Sequence, residues 1–377
     1  MNGRTSARVG MVGAGQLARM TQRAAIDLGV ALTVLAERDD DPAVAAGAAV
    51  EHGAADDPDA LARLADRVDV VTFDHELVDG PALARLAARG VAVRPSPSAL
   101  AHAQDKLLAR EAFARLGLPG PAHAVATDEA GVAALAAAHG WPLVAKARRG
   151  GYDGRGVVVV ADADELAAVL ARGGEWIVEQ RVPLAVELAV VLARRPGGAM
   201  AVHPVVETVQ RDGICHELVM PARVPAATAA RAVAVATELA TGIDAVGVCA
   251  VELFVTPTGD VLVNEIALRP HNSGHATIEG AVTSQFHNHL RAVLDWPLGD
   301  PSMRAPVAAT VNVLGADDGD VAARVPAALA VPGAHVHLYG KTSRPGRKLG
   351  HVTVLGDDAD AALTAARRAA RALTRPA

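Results

Sequence analysis

The sequence is poor in aromatic side chains and cysteines, and each shortage narrows the classes of protein to consider. Aromatic residues make up only 2% of the 377 positions, although 51% of the positions are hydrophobic. The two cysteines, Cys215 and Cys249, lie too far apart in sequence to form a chelating pair. We therefore expect buried or free thiols in a reducing compartment. The length is sufficient for two or three domains with their own cores.

An excess of positive charge and a long apolar run are also missing. The formal net charge of −6 argues against a nucleic-acid partner that is bound by a general basic surface. No uncharged apolar run approaches the length of a membrane span, and the first residues lack the apolar core of a signal peptide. The sequence therefore predicts a cytoplasmic protein without nucleic-acid or membrane partners.

Lysine is scarce as well, since only four of the 36 basic side chains are lysines. Arginine serves wherever general positive charge is needed, so a retained lysine points to a site that needs a compact ammonium group. Asp105, which precedes the first lysine, is expected to be an ordinary exposed charge on a helix. The lysines are Lys106, Lys146, Lys341 and Lys348.

The first segment has the pattern strand, glycine turn, helix, strand. The strands are residues 8–12 and 31–36, the turn is GAGQLA at 13–18, and Glu37 ends the second strand. This pattern matches the dinucleotide-binding fingerprint. A helix N-terminus behind a glycine turn binds any phosphate, however, and a purely structural tight turn explains the pattern equally well. A nicotinamide-dependent dehydrogenase is therefore one open alternative.

A glycine-rich loop follows the predicted strand that ends at Lys146. Four of the seven residues at 150–156 are glycines, and arginines lie on both sides of them. Such a loop is rich in backbone N–H groups and can close over phosphates. The alternative is a long flexible hairpin turn, which does not require a lysine before it or the flanking arginines.

Residues 248–275 combine a predicted β-hairpin with a polar loop. Two apolar runs, 248–255 and 261–268, flank the turn sequence TPTGD. Glu252 then lies opposite Asn264 or Glu265, in a register that the sequence does not fix. Facing carboxylates repel each other unless a cation lies between them. One interpretation is a Mg²⁺ site, because Mg²⁺ that also binds nucleotide phosphates accepts such ligands. The alternative is a hairpin with two acids on its solvent-exposed face.

Two polar loops are candidates for substrate binding. RPHNSGH, at residues 269–275, carries a cation, imidazoles, an amide and a hydroxyl directly after the hairpin. The loop at 339–351 carries four lysines or arginines and His351. Clustered cations without aromatic neighbours favour a monophosphate ligand over nucleic acid. A solvated basic turn is the alternative.

Several longer motifs resemble one family. KARRGGYDGRG, VELFV, NEIALRPHNSGH, TSQFHNHLRAVL and YGKTSRPGRKLGHVTV are similar to motifs of the 5-(carboxyamino)imidazole ribonucleotide synthases in the ATP-grasp superfamily. The match covers nearly the whole chain. The resemblance implies an α/β protein, α+β in its central part. Its expected domains are a Rossmann-like domain at 1–103, an ATP-grasp domain at 104–300 with a lid at about 120–185, and a β-rich domain at 301–377.

The resemblance also implies an activity and its ligands. The enzyme would be a ligase of purine biosynthesis that carboxylates aminoimidazole ribonucleotide with ATP and bicarbonate through carboxyphosphate, and it would use Mg²⁺ and form a homodimer. ATP would be bound by Lys106, Lys146, Gly151, Tyr152, Asp153, Gly154, Arg155, Gly156, Val157, Glu179, Gln180, Arg181, Val182, Glu187, Gln210, Asn264 and Glu265. The ribonucleotide would be bound by Gln16, Leu17, Glu76, Arg269, His271, Asn272, Ser273, Lys341, Arg347 and Lys348. The catalytic residues would be Tyr152, Asp153, Arg269 and His271, and the metal ligands Glu252 and Glu265.

Three positions depart from the family pattern, and three other functions stay open. Leu268 replaces a common proline, Gln210 replaces a common histidine, and Asp74-His75-Glu76 replaces Glu-Phe-Glu. None of these changes removes a charge from the implied phosphate or metal sites.

Within the superfamily, a formate-dependent glycinamide ribonucleotide transformylase shares the architecture. The dehydrogenase and a non-catalytic nucleotide-binding regulator are the alternatives from other classes.

Overall fold

The first part of the chain alternates strands and helices around a parallel sheet. The structure, a computed structural model, describes residues 6–151, 154–316 and 319–374. The sheet has the order β3-β2-β1-β4-β5. Its strands β1 and β4 are apolar and largely buried, as expected where helices cover both faces. The elements are β1 (Arg8–Val12), α1 (Gln16–Leu28), β2 (Ala31–Ala36), β3 (Ala49–His52), α2 (Pro58–Arg67), β4 (Val70–Phe73), α3 (Gly80–Ala88), β5 (Ala92–Val93) and α4 (Pro97–Gln104).

The second part forms a small antiparallel sheet with two helices packed on it. The sheet order is β6-β9-β7-β8, and its core contains Leu143, Ala145 and Val178. The glycine-rich loop connects β7 to β8 at one end of this sheet. The elements are α5 (Lys106–Arg115), β6 (His123–Val125), α6 (Glu129–His139), β7 (Leu143–Ala147), β8 (Val157–Val160), α7 (Ala163–Leu170) and β9 (Trp176–Gln180).

A large antiparallel sheet forms the rest of the molecule. Its order is β15-β14-β10-β12-β13-β16-β18-β17, with β11 beside β10. The C-terminal strands therefore continue this sheet through the pairing of β13 with β16. The elements are β10 (Val186–Arg194), β11 (Met200–Val202), β12 (Val206–Arg211), β13 (Ile214–Met220), α8 (Ala226–Gly242), β14 (Gly247–Val255), β15 (Val261–Ala267), α9 (Thr277–Gly280), α10 (Gln285–Val293), β16 (Val307–Leu314), α11 (Val325–Leu329), β17 (Ala334–Leu338), β18 (Lys348–Gly356) and α12 (Ala359–Thr374).

Residues 277–294 do not form one continuous helix. The segment contains α9 and α10, which are separated by residues 281–284. Ser284 ends the break as the N-cap of α10, and the Gln285 amide donates to Thr277 Oγ1 at 3.0 Å. The predicted α/β class, with α+β character in the centre, is confirmed. In the described ranges no helix has both the length and the apolar character needed to cross a bilayer.

Candidate active site

A cavity of about 1920 Å³ collects most of the residues that the sequence predicted for ligand binding. Its walls come from all three sheets, so the long-range fold brings together segments that are distant in sequence. The predicted residues on its wall are Gln16, Leu17, Glu76, Lys106, Lys146, Gly151, Gly154, Val157, Glu179, Gln180, Arg181, Val182, Glu187, Gln210, Glu252, Asn264, Glu265, Arg269, His271, Asn272, Lys341 and Lys348.

The structure places a few predicted residues elsewhere. Ser273 is buried within the 269–275 loop, and its hydroxyl is hydrogen-bonded to His271 Nδ1 at 2.8 Å. Arg347 donates to the Thr342 carbonyl at 3.0 Å and is not on the described wall of the cavity. Arg155 and Gly156 belong to the loop above the cavity without being part of that wall. Tyr152 and Asp153 lie outside the described residues, so their catalytic roles stay predictions.

The hairpin of β14 and β15 fixes the register that the sequence left open. Glu252 pairs with Glu265, and the register shifts directly after Glu252, where Leu253 pairs with Val263. A bulge of this kind interrupts the alternation of faces along the strand. Consecutive strand residues normally point to opposite faces, yet Asn264 and Glu265 both line the cavity. The bulge therefore supplies an amide and a carboxylate where a regular strand would supply one of them.

The two facing carboxylates differ in their electrostatic surroundings. Burial, together with the negative charges of Glu265 and Glu187, raises the pKa of Glu252 to about 7. Burial acts in the same direction on Glu265, but Lys106 and Lys146 outweigh it and lower the pKa of Glu265 to about 2. Burial also raises the pKa of Glu187, with Lys146 opposing it. Among these acids, the facing carboxylates of Glu252 and Glu265 are the pair suited to a bound cation.

Helix α5 supplies cations to this end of the cavity. Lys106 Nζ lies 2.7 Å from Glu265 Oε1. One turn later, the buried Arg110 donates from Nε to Glu179 Oε1 at 2.7 Å and from Nη1 to the Asn264 carbonyl at 2.7 Å. Lys146 Nζ completes the network at 2.8 Å from Glu179 Oε2 and 3.0 Å from Asn264 Oδ1. Sequence reasoning missed Arg110, although its spacing of four from Lys106 places both on one helix face.

Asp105 is not the exposed charge that was expected. It is 1% exposed and caps α5 by accepting from two backbone amides of the first turn. Arg148 Nε lies 2.8 Å from Oδ1, and Arg149 Nη2 lies 2.8 Å from Oδ2. The Lys106 amide also donates to the Arg148 carbonyl at 2.9 Å. The start of the glycine-rich loop is thus fixed to the helix that carries Lys106.

The described part of the glycine-rich loop lies against the turn between β12 and β13. A Cβ atom on Gly154 would come within 3.0 Å of Gly213 Cα and 3.1 Å of the Asp212 carbonyl oxygen. Gly154 also has φ of +76°, a conformation that disfavours other residues. The loop therefore bridges the small sheet and the large sheet at the rim of the cavity.

The loop of residues 269–275 is fixed to both neighbouring parts of the fold. Arg269 Nε lies 2.8 Å from Glu76 Oε2 in the first domain. The Gln285 side chain makes two hydrogen bonds to the backbone of His271: it accepts from the amide at 2.9 Å and donates to the carbonyl at 2.7 Å. His271 Nε2 is 3.6 Å from Glu252 Oε1. Burial, Arg269 and Lys348 hold the pKa of His271 well below its usual value, which favours a neutral ring.

The N-terminus of α1 is filled by a side chain of the protein itself. Asp74 accepts from the Gly15 amide at 2.5 Å and from the Ala18 amide at 3.0 Å. This carboxylate takes the place where a pyrophosphate sits in dinucleotide-binding domains. The geometry therefore favours the structural interpretation of the glycine turn over the dehydrogenase alternative. Beside it, Lys341 Nζ donates to Gln16 Oε1 at 2.5 Å, and both residues line the cavity.

Comparison with known proteins gives family models for each part of the chain. The ribonucleotide synthetase preATP-grasp domain matches residues 6–104, and the ATP-grasp domain matches residues 111–286. The phosphoribosylaminoimidazole carboxylase C-terminal domain matches residues 308–365. These matches confirm the ATP-grasp fold with a Rossmann-like domain before it.

Similar proteins span nearly the whole chain. The N5-carboxyaminoimidazole ribonucleotide synthase of Mycobacterium tuberculosis strain H37Rv is 50% identical over 366 residues, which cover 93% of this chain and 84% of that protein. The enzyme of the same name from Corynebacterium ammoniagenes is 44% identical over 379 residues, covering 96% and 91%. A structure of N5-carboxyaminoimidazole synthase from Aspergillus clavatus with ADP and 5-aminoimidazole ribonucleotide has 33% identity, a TM-score of 0.90 and 98% coverage of both chains. This chain belongs to the N5-carboxyaminoimidazole ribonucleotide synthase family of ATP-grasp ligases.

Proposed function

We propose that this chain carboxylates 5-aminoimidazole ribonucleotide to N5-carboxyaminoimidazole ribonucleotide, with cleavage of ATP to ADP and phosphate, in purine biosynthesis. One observation carries the proposal. The cluster of Lys106, Lys146 and Glu265 and the loops that contain Arg269 and Lys341 line the same cavity. A nucleoside triphosphate bound at one end of the cavity and a ribonucleotide bound at the other therefore share one continuous reaction space.

ATP is assigned to the end of the cavity between the two antiparallel sheets. Lys106 and Lys146 carry the positive charge that triphosphate binding needs, and the glycine-rich loop supplies backbone N–H groups above them. Residues 179–182 also line the cavity and are assigned to adenine, with Glu187 on the ribose. In this arrangement the phosphates of ATP join Glu265 and Glu179 as partners of Lys106 and Lys146, which already contact these carboxylates.

Mg²⁺ is assigned to Glu252 and Glu265. The two carboxylates pair across the hairpin, and burial together with the charge of Glu265 raises the pKa of Glu252, so a cation bound between them would relieve their repulsion. Mg²⁺ commonly uses one or two carboxylates together with substrate phosphates, so the two residues fit this ion. When bound, the ion neutralises phosphate charge during transfer.

The reaction has two steps. A bicarbonate oxygen attacks the γ-phosphorus of ATP, the bond to ADP breaks, and carboxyphosphate forms. The exocyclic amine of the ribonucleotide then attacks the carboxyl carbon, phosphate leaves, and the amine loses a proton. Phosphoryl transfer depends mainly on positioning and charge neutralisation, which Lys106 and Lys146 supply. Closure of the glycine-rich loop over the cavity protects carboxyphosphate from water.

The ribonucleotide is assigned to the end formed by the first domain, the 269–275 loop and the 339–351 loop. Its phosphate lies near Lys341 and Lys348, and its base lies near Arg269 and His271. The ion pair of Arg269 with Glu76 orients the guanidinium toward the cavity that both residues line. Arg347 and Ser273 are not on the described wall, and their contacts with the ribonucleotide stay predictions.

The direct test measures phosphate release from ATP with and without bicarbonate and 5-aminoimidazole ribonucleotide. We expect release to depend on both compounds and the carboxylated ribonucleotide to form in equal amount. Labelled formate with glycinamide ribonucleotide, in place of bicarbonate and 5-aminoimidazole ribonucleotide, tests the transformylase alternative. Release that depends on formate, or no ribonucleotide-dependent release, would refute the proposed function.

Lys341→Ala is expected to raise the KM for the ribonucleotide by about tenfold or more, because a charged hydrogen bond contributes about 1.5–3 kcal/mol. The KM for ATP should stay unchanged. Steady-state kinetics with each substrate varied in turn measure both constants. Arg344→Ala is the matched control, since Arg344 is an exposed cation of the same loop. An unchanged ribonucleotide KM for Lys341→Ala would contradict the anchor role.

Asp105→Asn is expected to raise the KM for ATP by about tenfold, because the neutral amide no longer pairs with the guanidinium groups of Arg148 and Arg149. The ribonucleotide KM should change little. Glu175→Gln serves as the control, because it removes only the exposed partner of Arg148. Equal effects of the two substitutions on the ATP KM would show that burial of Asp105 at the loop base is unimportant.

The domain limits at 103 and 300, the homodimer and the cytoplasmic location are further parts of the proposal. Support for the homodimer comes from the family resemblance alone. Sedimentation of the purified chain at several concentrations measures its mass in solution, and a monomer at every concentration would contradict that part. The remaining assignments do not depend on it.

A further inference from the structure

Three histidine rings stack behind the ribonucleotide end of the cavity. His351 on β18 lies between His275, at the end of the 269–275 loop, and His337 on β17. The ring centroids of His275 and His351 are 4.6 Å apart with 20° between their planes, and those of His337 and His351 are 4.5 Å apart with 18°. We call these three residues the histidine stack. It joins the 269–275 loop to the last strands of the large sheet.

The histidine stack is buried and neutral at its centre. His275 and His351 are both 0% exposed. Burial, with a smaller effect of Lys348, lowers the pKa of His275 to about 3, and burial with the neighbouring imidazoles holds the pKa of His351 well below its usual value. Neutral rings pack face to face without charge repulsion. At its outer end, His337 Nε2 lies 2.7 Å from Glu279 Oε1, which fixes the third ring.

Tyr339 connects the histidine stack to Lys341. Its hydroxyl is hydrogen-bonded to His351 Nδ1 at 2.8 Å, and the side chain is 1% exposed. The Lys341 ammonium lies over the Tyr339 ring at 5.8 Å from the centroid, a cation–π distance. The Tyr339 backbone is held by the bond from its amide to the Leu349 carbonyl at 2.9 Å. The ring under Lys341 is therefore fixed at its hydroxyl end and at its backbone.

Neither Tyr339 nor the histidine stack belongs to the described wall of the cavity. The residue of the proposed phosphate site that Tyr339 contacts is Lys341, whereas the stack also touches the 269–275 loop through His275. Lysine has a long, flexible side chain that loses much rotamer freedom when it is held in one place. A rigid aromatic surface beneath the ammonium lowers that loss at the moment of binding, because part of the ordering exists beforehand.

We propose that Tyr339, anchored by its hydrogen bond to the histidine stack, is a positioning residue that pre-orders Lys341 for the phosphate of the ribonucleotide. This inference rests on the proposed phosphate-binding role of Lys341. It assigns a function to Tyr339, and it gives the buried stack a role beyond core packing.

Tyr339→Phe tests the proposal, because it keeps the ring and removes only the hydroxyl. In the full chain we expect the ribonucleotide KM to rise about five- to tenfold, the effect of losing one buried hydrogen bond. The ATP KM and kcat should stay within about twofold of wild type, since the ATP end of the cavity is unaltered. Thermal unfolding of each variant is measured alongside the kinetics.

Thr353→Val is the matched control. Thr353 lies on the same strand as His351 but outside the stack, and its buried hydroxyl is 2.8 Å from the buried hydroxyl of Thr310 on β16. This variant loses a buried hydrogen bond of the same kind, so its Tm should fall comparably while its ribonucleotide KM stays unchanged. If Tyr339→Phe also lowers only the Tm, or raises both KM values equally, the positioning role is overturned.

A double variant separates this inference from the assignment of Lys341. If Tyr339 acts through Lys341, adding Tyr339→Phe to Lys341→Ala should raise the ribonucleotide KM no further. Independent, multiplying effects would overturn the proposed route. An unchanged ribonucleotide KM for Lys341→Ala alone would refute the anchor role of Lys341. The dependence of wild-type phosphate release on ribonucleotide and bicarbonate tests the proposed carboxylation, independently of the roles of Lys341 and Tyr339.

Discussion

Glu265→Ala is expected to abolish ATP turnover, with a loss in kcat of at least about a thousandfold. Glu265 is a proposed ligand of the Mg²⁺ that neutralises transition-state charge, and loss of one such stabilising contribution costs about 10²–10³ in kcat. Glu265 is also the partner of Lys106, at 2.7 Å. Without this carboxylate, Glu252 alone faces the proposed Mg²⁺ and Lys106 loses its fixed position. Phosphate release at several Mg²⁺ concentrations measures the effect.

Two variants sharpen the test of Glu265. Glu265→Gln keeps the shape and removes the charge, so it should be nearly as inactive as the alanine variant. Asp260→Asn is the control, because Asp260 is an exposed acid in the turn of the same hairpin and should retain wild-type turnover. Near-normal phosphate release by Glu265→Ala at saturating Mg²⁺ would contradict the metal assignment.

Arg110→Met is expected to impair both folding and ATP binding. The side chains of Arg110 and Glu179 are each 2% exposed, so the substitution leaves a buried carboxylate with Lys146 as its cation. Removal of one partner of a buried ion pair costs about 3–5 kcal/mol in the free energy of unfolding. The pairing of Arg110 with the Asn264 carbonyl is lost as well, so the neighbouring Glu265 should shift.

Denaturant unfolding and the KM for ATP together measure the effect of Arg110→Met. Arg115→Met is the matched control, because Arg115 is exposed on the same helix and should change the unfolding free energy by less than about 0.5 kcal/mol. If both variants are equally stable and bind ATP equally well, the buried network does not support the site. A destabilised variant with normal ATP KM would limit Arg110 to a purely structural role.

Local chemistry made much of the site predictable. The turn TPTGD and the apolar runs beside it predict the hairpin, and the structure pairs Val255 with Val261 across that turn. The glycine-rich loop and the cationic loop at 339–351 are likewise recognisable from composition alone. These features depend on short-range rules for turns, alternation and charge, so the sequence contains them without reference to the fold.

Other features depend on which surfaces meet. The sequence predicts an exposed charge at Asp105, because it does not show that Arg148 and Arg149, more than forty positions away, contact this carboxylate. Arg110 was missed for the same reason, although its spacing from Lys106 was a usable signal. The break between α9 and α10 follows from the Ser284 cap, which competes with a helical pattern of apolar residues on both sides.

The sequence by itself determined the chemical groups of this protein: the carboxylates of the hairpin, the four lysines, the glycine-rich loop and the two substrate loops. Only the tertiary structure decided how these groups meet. It set Glu252 opposite Glu265 through a bulge, filled the N-terminus of α1 with Asp74, and stacked His275 on His351. The physical reason is that residue chemistry is local, whereas burial, register and charge pairing arise from contacts between segments that are distant in the chain.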